Sequence, residues 1–128
     1  MRVLLDTHAF LWWLDGDPHL AARPRRIIAQ ANNTILVSAA SAWEIAAKVR
    51  LGRLPGAEKL EREFLDVMED TGYTPIPIDA AVALRGGRFL AEHRDPFDRV
   101  LAAQALADDI PILSADAKLD SFVIHRIW

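Results

Sequence analysis

The sequence contains no cysteine, which removes disulfides, thiolate metal ligands and cysteine nucleophiles together. Their absence agrees with a reducing compartment. Long apolar runs are missing too. The N-terminal stretch Val3-Leu4-Leu5 meets a charge at Asp6, far short of a signal-peptide core or a spanning helix. A cytoplasmic protein without membrane association is therefore expected. No G-x-x-x-x-G-K stretch supports nucleotide hydrolysis, and Gly86-Gly87 alone is too little. The histidines (His8, His19, His93, His125) lack H-x-x-x-H spacing, which argues against a zinc site. Repeats, low-complexity segments and Gly/Ser linkers are also absent, so the 128 residues read as one domain over 1–128.

What is present is an apolar fraction of 52%, enough for a packed core. The formal charge is −3, from 15 Lys plus Arg against 18 Asp plus Glu. Nucleic-acid binders are more often basic. That objection weakens if several acids share one cation-neutralised site and arginines dominate the rest of the binding face.

Val3-Leu4-Leu5, ending in Asp6-Thr7, has the continuous apolar character of a strand buried on both faces. A helix from about Thr7 to Leu14 should stop at Asp15-Gly16-Asp17-Pro18. A second helix is expected over 21–31, a strand over Thr34–Val37, and a helix over Ser41–Leu51 closed by Gly52. Glu58–Asp70 reads as one helix, with Leu60, Phe64, Val67 and Met68 on one face. Tyr73–Ile78 reads as a strand whose Pro75 and Pro77 suit a sheet edge. Helices over 80–90 and Pro96–Ala107, and strands over Ile110–Leu113 and Val123–Trp128, complete the chain. Alternation of this kind predicts an α/β fold with right-handed crossovers and a parallel sheet covered by helices on both faces. Ligands of such sheets bind beyond the carboxyl ends of the strands.

That rule selects certain acids. Asp6 directly follows the first strand, and Asp116 lies just past Ile112-Leu113. Glu44 is expected in the first turn of the helix after the second strand, and Asp98 in the turn opened by Pro96. All would face one sheet edge. Carboxylates packed together raise one another's pKa unless a cation is present. Hard divalent ions take oxygen ligands and substrate phosphate, and they activate water for in-line attack on phosphorus. Each acid also matches a structural role. Asp6 can cap the helix at Thr7, and Ser41-Ala42-Trp43-Glu44 fits a capping box. Asp95-Pro96-Phe97-Asp98 fits an N-cap, a first-position proline and a dipole-favoured acid. Ser114-Ala115-Asp116 fits a turn or cap. Four independent caps, however, need not gather at one edge. Asp95 suits a cap or a supporting position better than a ligand position.

LLDTHAFLWWL at 4–14, VSAASAWEIAAKVRLGRL at 37–54, HRDPFDRVLAAQAL at 93–106 and ILSADAKLD at 112–120 resemble, in this order, the PIN-domain family and its VapC-like toxins. The resemblance implies a three-layer α/β/α sandwich with a central twisted parallel sheet. It also implies Mg²⁺- or Mn²⁺-dependent endonucleolytic cleavage of RNA, with Asp6, Glu44, Asp98 and Asp116 at the family's acidic positions. Thr7 and Ser114 match its supporting hydroxyls, and Ser38 is a further candidate. A VapB-like antitoxin partner and homodimerisation are implied as well.

Arg94 and Arg99 flank the expected site and are candidate phosphate contacts, or else solvated helix-surface charges. Lys48, four residues after Glu44, suits a helix-surface ion pair. Trp12 and Trp13 cannot share one helical face, so one should pack inward and the other toward a partner or dimer surface. Trp43 is expected in the core, and Trp128 is expected to tie down the C-terminus. His93 suits a structural role better than substrate contact. Two other functions compete. A phosphatase on a similar sheet would often carry Asp-x-Asp, where this chain has Asp6-Thr7-His8. A binding module would use the acidic groove only to hold a partner's basic segment.

Overall fold

A computed structural model describes residues 1–128. The first apolar run becomes β1 (Arg2–Leu5), in which Val3, Leu4 and Leu5 are completely buried. It is flanked on one side by β2 (Thr34–Ser38) and on the other by β4 (Ile112–Leu113), with Leu4 opposite both Leu36 and Ile112. Adding β3 (Thr74–Ile76) and β5 (Arg126–Ile127) gives one five-stranded sheet, ordered β3-β2-β1-β4-β5 and parallel throughout. Pro75 stands in the edge strand β3, where a missing N–H leaves no inner ladder bond unmade.

The strand period of two separates the core into two layers. Val3, Leu5, Ile35, Val37, Leu113 and Ile127 belong to one apolar cluster. It includes Phe10 of α1 (Thr7–Asp15), Ile28 of α2 (Ala22–Ala29), Ile45 of α3 (Ala39–Arg50) and Met68 of α5 (Phe64–Thr71). Leu4, Leu36 and Ile112 pack in a second cluster with Leu101, Ala102 and Ala105 of α7 (Pro96–Asp108) and with Leu119 and Phe122. The α/β/α layering follows directly. α6 (Ala80–Arg88) packs on α7 through Gly86, where a Cβ would lie 3.3 Å from the Arg99 carbonyl oxygen. Gly86 therefore permits close helix approach. No helix is long and apolar enough to cross a membrane.

The strands expected over 73–78, 110–113 and 123–128 are shorter, at Thr74–Ile76, Ile112–Leu113 and Arg126–Ile127, and two helices differ further. The helix expected over 58–70 is divided into α4 (Glu58–Arg62) and α5 at Glu63, whose φ of −106° and ψ of 17° leave the helical range. Leu60, Phe64 and Val67 still pack on the first cluster, so the apolar spacing survives the break. α3 starts earlier than expected. Ser38 is its N-cap, with Oγ accepting from the Ala40 N–H at 3.0 Å. Ser41 and Glu44 therefore form no capping box, and Glu44 lies in the second turn.

The chain proceeds from β1 to β2 and β3 on one side, then crosses to β4 and β5 on the other. The order reverses at β1, which creates a crevice beyond the carboxyl ends of β1 and β4.

Candidate functional site

Asp6 closes β1 and caps α1, its Oδ1 accepting from the Ala9 N–H at 2.7 Å. Its side chain is buried. Burial is the main cause that raises its pKa, and the nearby Glu44 charge adds to the rise. Hydrogen bonds from Ser114 and the Ala9 N–H oppose it.

Ser114 is buried at the end of β4. Its Oγ also accepts from the Asp116 N–H at 3.0 Å, so one hydroxyl links the turns that carry Asp6 and Asp116. Asp116 caps the 3₁₀ turn Ala117–Ser121, with Oδ1 accepting from the Lys118 N–H at 2.9 Å. Arg126 of β5 donates to the Ser114 carbonyl at 3.1 Å and makes a two-pronged pair with Asp120 at 2.8 and 2.9 Å. These bonds steady the turn from both sides.

Asp98 stands in the first turn of α7. Asp95 caps that helix through the Phe97 N–H at 2.9 Å, and Pro96 follows at the position where a missing N–H costs nothing. Burial and the adjacent Asp95 charge push Asp98 up to about 6, with Asp6 adding to the rise and His93 opposing it. His93 Nε2 lies 2.8 Å from Asp98 Oδ2. Donor atoms of His93, Asp98 and Asp116 all fall within 4.8 Å of one another.

Glu44 is buried and reached from two sides. Thr7 Oγ1 donates to its Oε1 at 2.6 Å and also lies 3.0 Å from Ser41 Oγ. Lys48 Nζ sits 2.5 Å from Oε2. This pair was expected on the helix surface, but the Glu44 carboxylate is inside, where the ammonium offsets its desolvation.

A match to the PIN-domain family model runs over residues 3–123. The chain belongs to the PIN-domain family. It is 44% identical over 68 residues to Ribonuclease VapC16 of Mycobacterium tuberculosis; the match covers 50% of this chain and 48% of that relative. The chain thus spans about half the length of the curated relative it matches. Among solved structures, VapBC2 from Rickettsia felis, bound to a DNA fragment from their promoter, superposes with a TM-score of 0.71 at 17% identity. That alignment covers 99% of this chain and 98% of the other. VapBC-1 from nontypeable Haemophilus influenzae gives 0.68 at 16% identity, over 99% and 97%. At these identities the likeness establishes the shared fold.

The residues of this PIN domain fit the divalent metal that the family implies. Their donors are mainly hard carboxylate oxygens, and Asp6 and Asp98 are both held toward protonation by burial and like charge. A cation relieves that conflict.

Several expectations need correction. The Arg99 guanidinium is not free for substrate. It donates to the carbonyls of Gly86, Gly87, Phe89, Ala91 and His93, tying the segment before α7 to that helix's first turn. Trp43 is not a core residue: it is 64% exposed, with its ring edge-on to Phe97 at 5.4 Å. Trp12 and Trp13 both pack at the border of the first cluster, and Trp128 meets Trp12 at 5.9 Å. Arg94 remains exposed beside His93 and Lys118 around one surface hollow. Ser41 went unnoticed as a site neighbour, although its position three residues before Glu44 is a signal for a shared helix face.

Proposed function

We propose that this chain is the toxin of a toxin–antitoxin pair, a cytoplasmic endoribonuclease that cleaves RNA at a carboxylate site holding Mg²⁺ or Mn²⁺. One observation carries the reading. By like charge Glu44 raises Asp6 and Asp6 raises Asp98, and Asp98 and Asp116 hold donor atoms within 4.8 Å of each other, which links carboxylates from distant segments pair by pair within a PIN fold. The match to Ribonuclease VapC16 supports RNA as the substrate. The likeness to VapBC assemblies supports a VapB-like antitoxin, and homodimerisation belongs to the same proposal. The chain as a single nuclease domain agrees with the span of the family match.

Asp6, Glu44, Asp98 and Asp116 would hold the cation. When bound, it supplies positive charge at the phosphate and acidifies the attacking water. The other residues orient these acids. Thr7 fixes Glu44, Ser114 joins Asp6 to Asp116, and Asp95 and Ser38 set the starts of α7 and α3. Arg94, exposed beside His93, would meet a backbone phosphate. Lys48 neutralises Glu44 in the absence of a cation.

The test is to sequence cleavage ends in total RNA after brief induction, beside an Asp6→Asn variant and a chelator-treated control. Discrete new ends in wild type alone are expected. Full cleavage by Asp6→Asn, or by wild type in excess chelator, would refute the metal mechanism.

A further inference from the structure

We infer that His93 is itself a metal ligand, contributing Nε2 beside Asp98 and Asp116 and turning the carboxylate centre into a mixed nitrogen–oxygen site that prefers Mn²⁺ to Mg²⁺. The inference rests on the proposed metal-dependent reading and adds a ligand and an ion preference to it.

The spacing carries the case. With bonds of about 2.1 Å, neighbouring ligands on an octahedral ion lie about 3 Å apart and opposite ones about 4.2 Å apart. His93 Nε2 and Asp98 Oδ2 are 2.8 Å apart, and Asp116 brings an oxygen within 4.8 Å of both. The 2.8 Å pair matches two neighbouring ligand positions, and the Asp116 oxygen, no more than 4.8 Å away, completes the set by closing to about 4.2 Å or less on binding. Asp6 and Glu44 lie outside this tight group: an Asp6 oxygen accepts from the Ala9 N–H, and the Glu44 oxygens face Thr7 and Lys48.

His93 is also held where a ligand must be. Its side chain is 10% exposed and that of Asp98 is 16% exposed. The ring packs against the buried Phe122 at 5.8 Å. Its carbonyl accepts from Arg99 Nη1 at 2.8 Å, and Arg99 directly follows Asp98 on α7. The imidazole and the carboxylate are thus anchored to the same helical turn, so little ordering remains on binding.

The ion preference follows from donor chemistry. Mg²⁺ is hard, binds oxygen and gives up water reluctantly. Mn²⁺ accepts imidazole more readily than Mg²⁺, since it is a first-row divalent ion at the start of the order in which affinity for nitrogen sites rises toward Cu²⁺. A nitrogen in the first coordination sphere therefore favours Mn²⁺.

A structural role predicts something different: His93 would only donate to Asp98 and leave the ion all-oxygen. The full chain, loaded with MnCl₂, separates the two by pulsed electron paramagnetic resonance. Coupling from a directly bound ¹⁴N is expected in wild type, should change to the ¹⁵N pattern after histidine labelling, and should vanish in His93→Gln. Competition with MgCl₂ in the same titration should show the Mn²⁺ preference falling about tenfold in His93→Gln. Saturable Mn²⁺ binding that is lost in Asp6→Asn yet shows no nitrogen coupling in wild type would overturn the inference and leave the proposed function standing. Failure of wild type to bind Mn²⁺ at all would remove both. The labelled wild type distinguishes ligand from structural role even if His93→Gln does not fold.

Discussion

Replacing Asp98 by asparagine should stabilise the metal-free protein at neutral pH while abolishing cleavage. In the folded protein burial and Asp95 push this carboxyl from 3.8 to about 6. Because the folded-state value lies above the unfolded one, the folded chain binds the proton more tightly. Stability from this group is fully present below about 4 and is lost as pH rises through about 6. A rise from 3.8 to about 6 corresponds to about 3 kcal/mol at roughly 1.36 kcal/mol per pH unit. The side chain is still 16% exposed, and solvent screening reduces the expected effect to about 1–2 kcal/mol. Asparagine keeps an oxygen that can accept from His93 but carries no charge to desolvate. Urea unfolding in chelator should therefore show Asp98→Asn more stable than wild type at pH 8 by that amount, and the gap should close as pH falls toward 4. Adding Mn²⁺ should reverse the order, because only wild type gains binding energy. If Asp98→Asn is no more stable than wild type at pH 8 in chelator, the picture of a strained, charge-crowded site is wrong.

Other substitutions test the supports. Arg99→Ala should cost about 2–4 kcal/mol, since carbonyls from five residues lose a charged donor. Arg99→Lys should rescue little of this, because a lysine lacks the planar fork. Amide hydrogen exchange should rise across 86–93 in both, and unchanged protection there would refute the stapling role. Thr7→Val removes the 2.6 Å bond to Glu44 within a buried site and should lower stability by about 1–3 kcal/mol in chemical denaturation. Trp43→Ala should change stability by less than about 1 kcal/mol, because most of the ring is already in water. A thermal shift typical of a core truncation would contradict that placement.

The order of elements was legible in local sequence. Buried parallel strands need unbroken apolar runs, as in Val3-Leu4-Leu5, and prolines restrict a strand to an edge, as Pro75 does in β3. Gly16 adopts a φ of 62° and ends α1 within the Asp15–Pro18 stop signal. Placing Asp6 and Asp116 at the carboxyl edge needed only the strand assignments and the rule that parallel sheets bind ligands there.

Other features depended on which surfaces meet. Both Ser38 and Ser41 are acceptable caps, and only the length of β2 decides between them. The spacing of Leu60, Phe64 and Val67 reads the same across one helix or two, so the break at Glu63 left no trace in it. Trp43 lies on an apolar-looking helix, but no layer covers that face.

Arg99 and His93 show the deepest divide. A guanidinium near acids suggests a phosphate contact until the carbonyls that surround it are known. A histidine five residues from an aspartate has no helical reason to meet it, because residues 93–95 precede the helix. Chain direction and apolar period are local properties, so sequence alone placed the acids at one edge of a parallel sheet. Which side chains share a hydrogen bond or a cation depends on loop paths and exposed faces, and those were settled only when the layers packed.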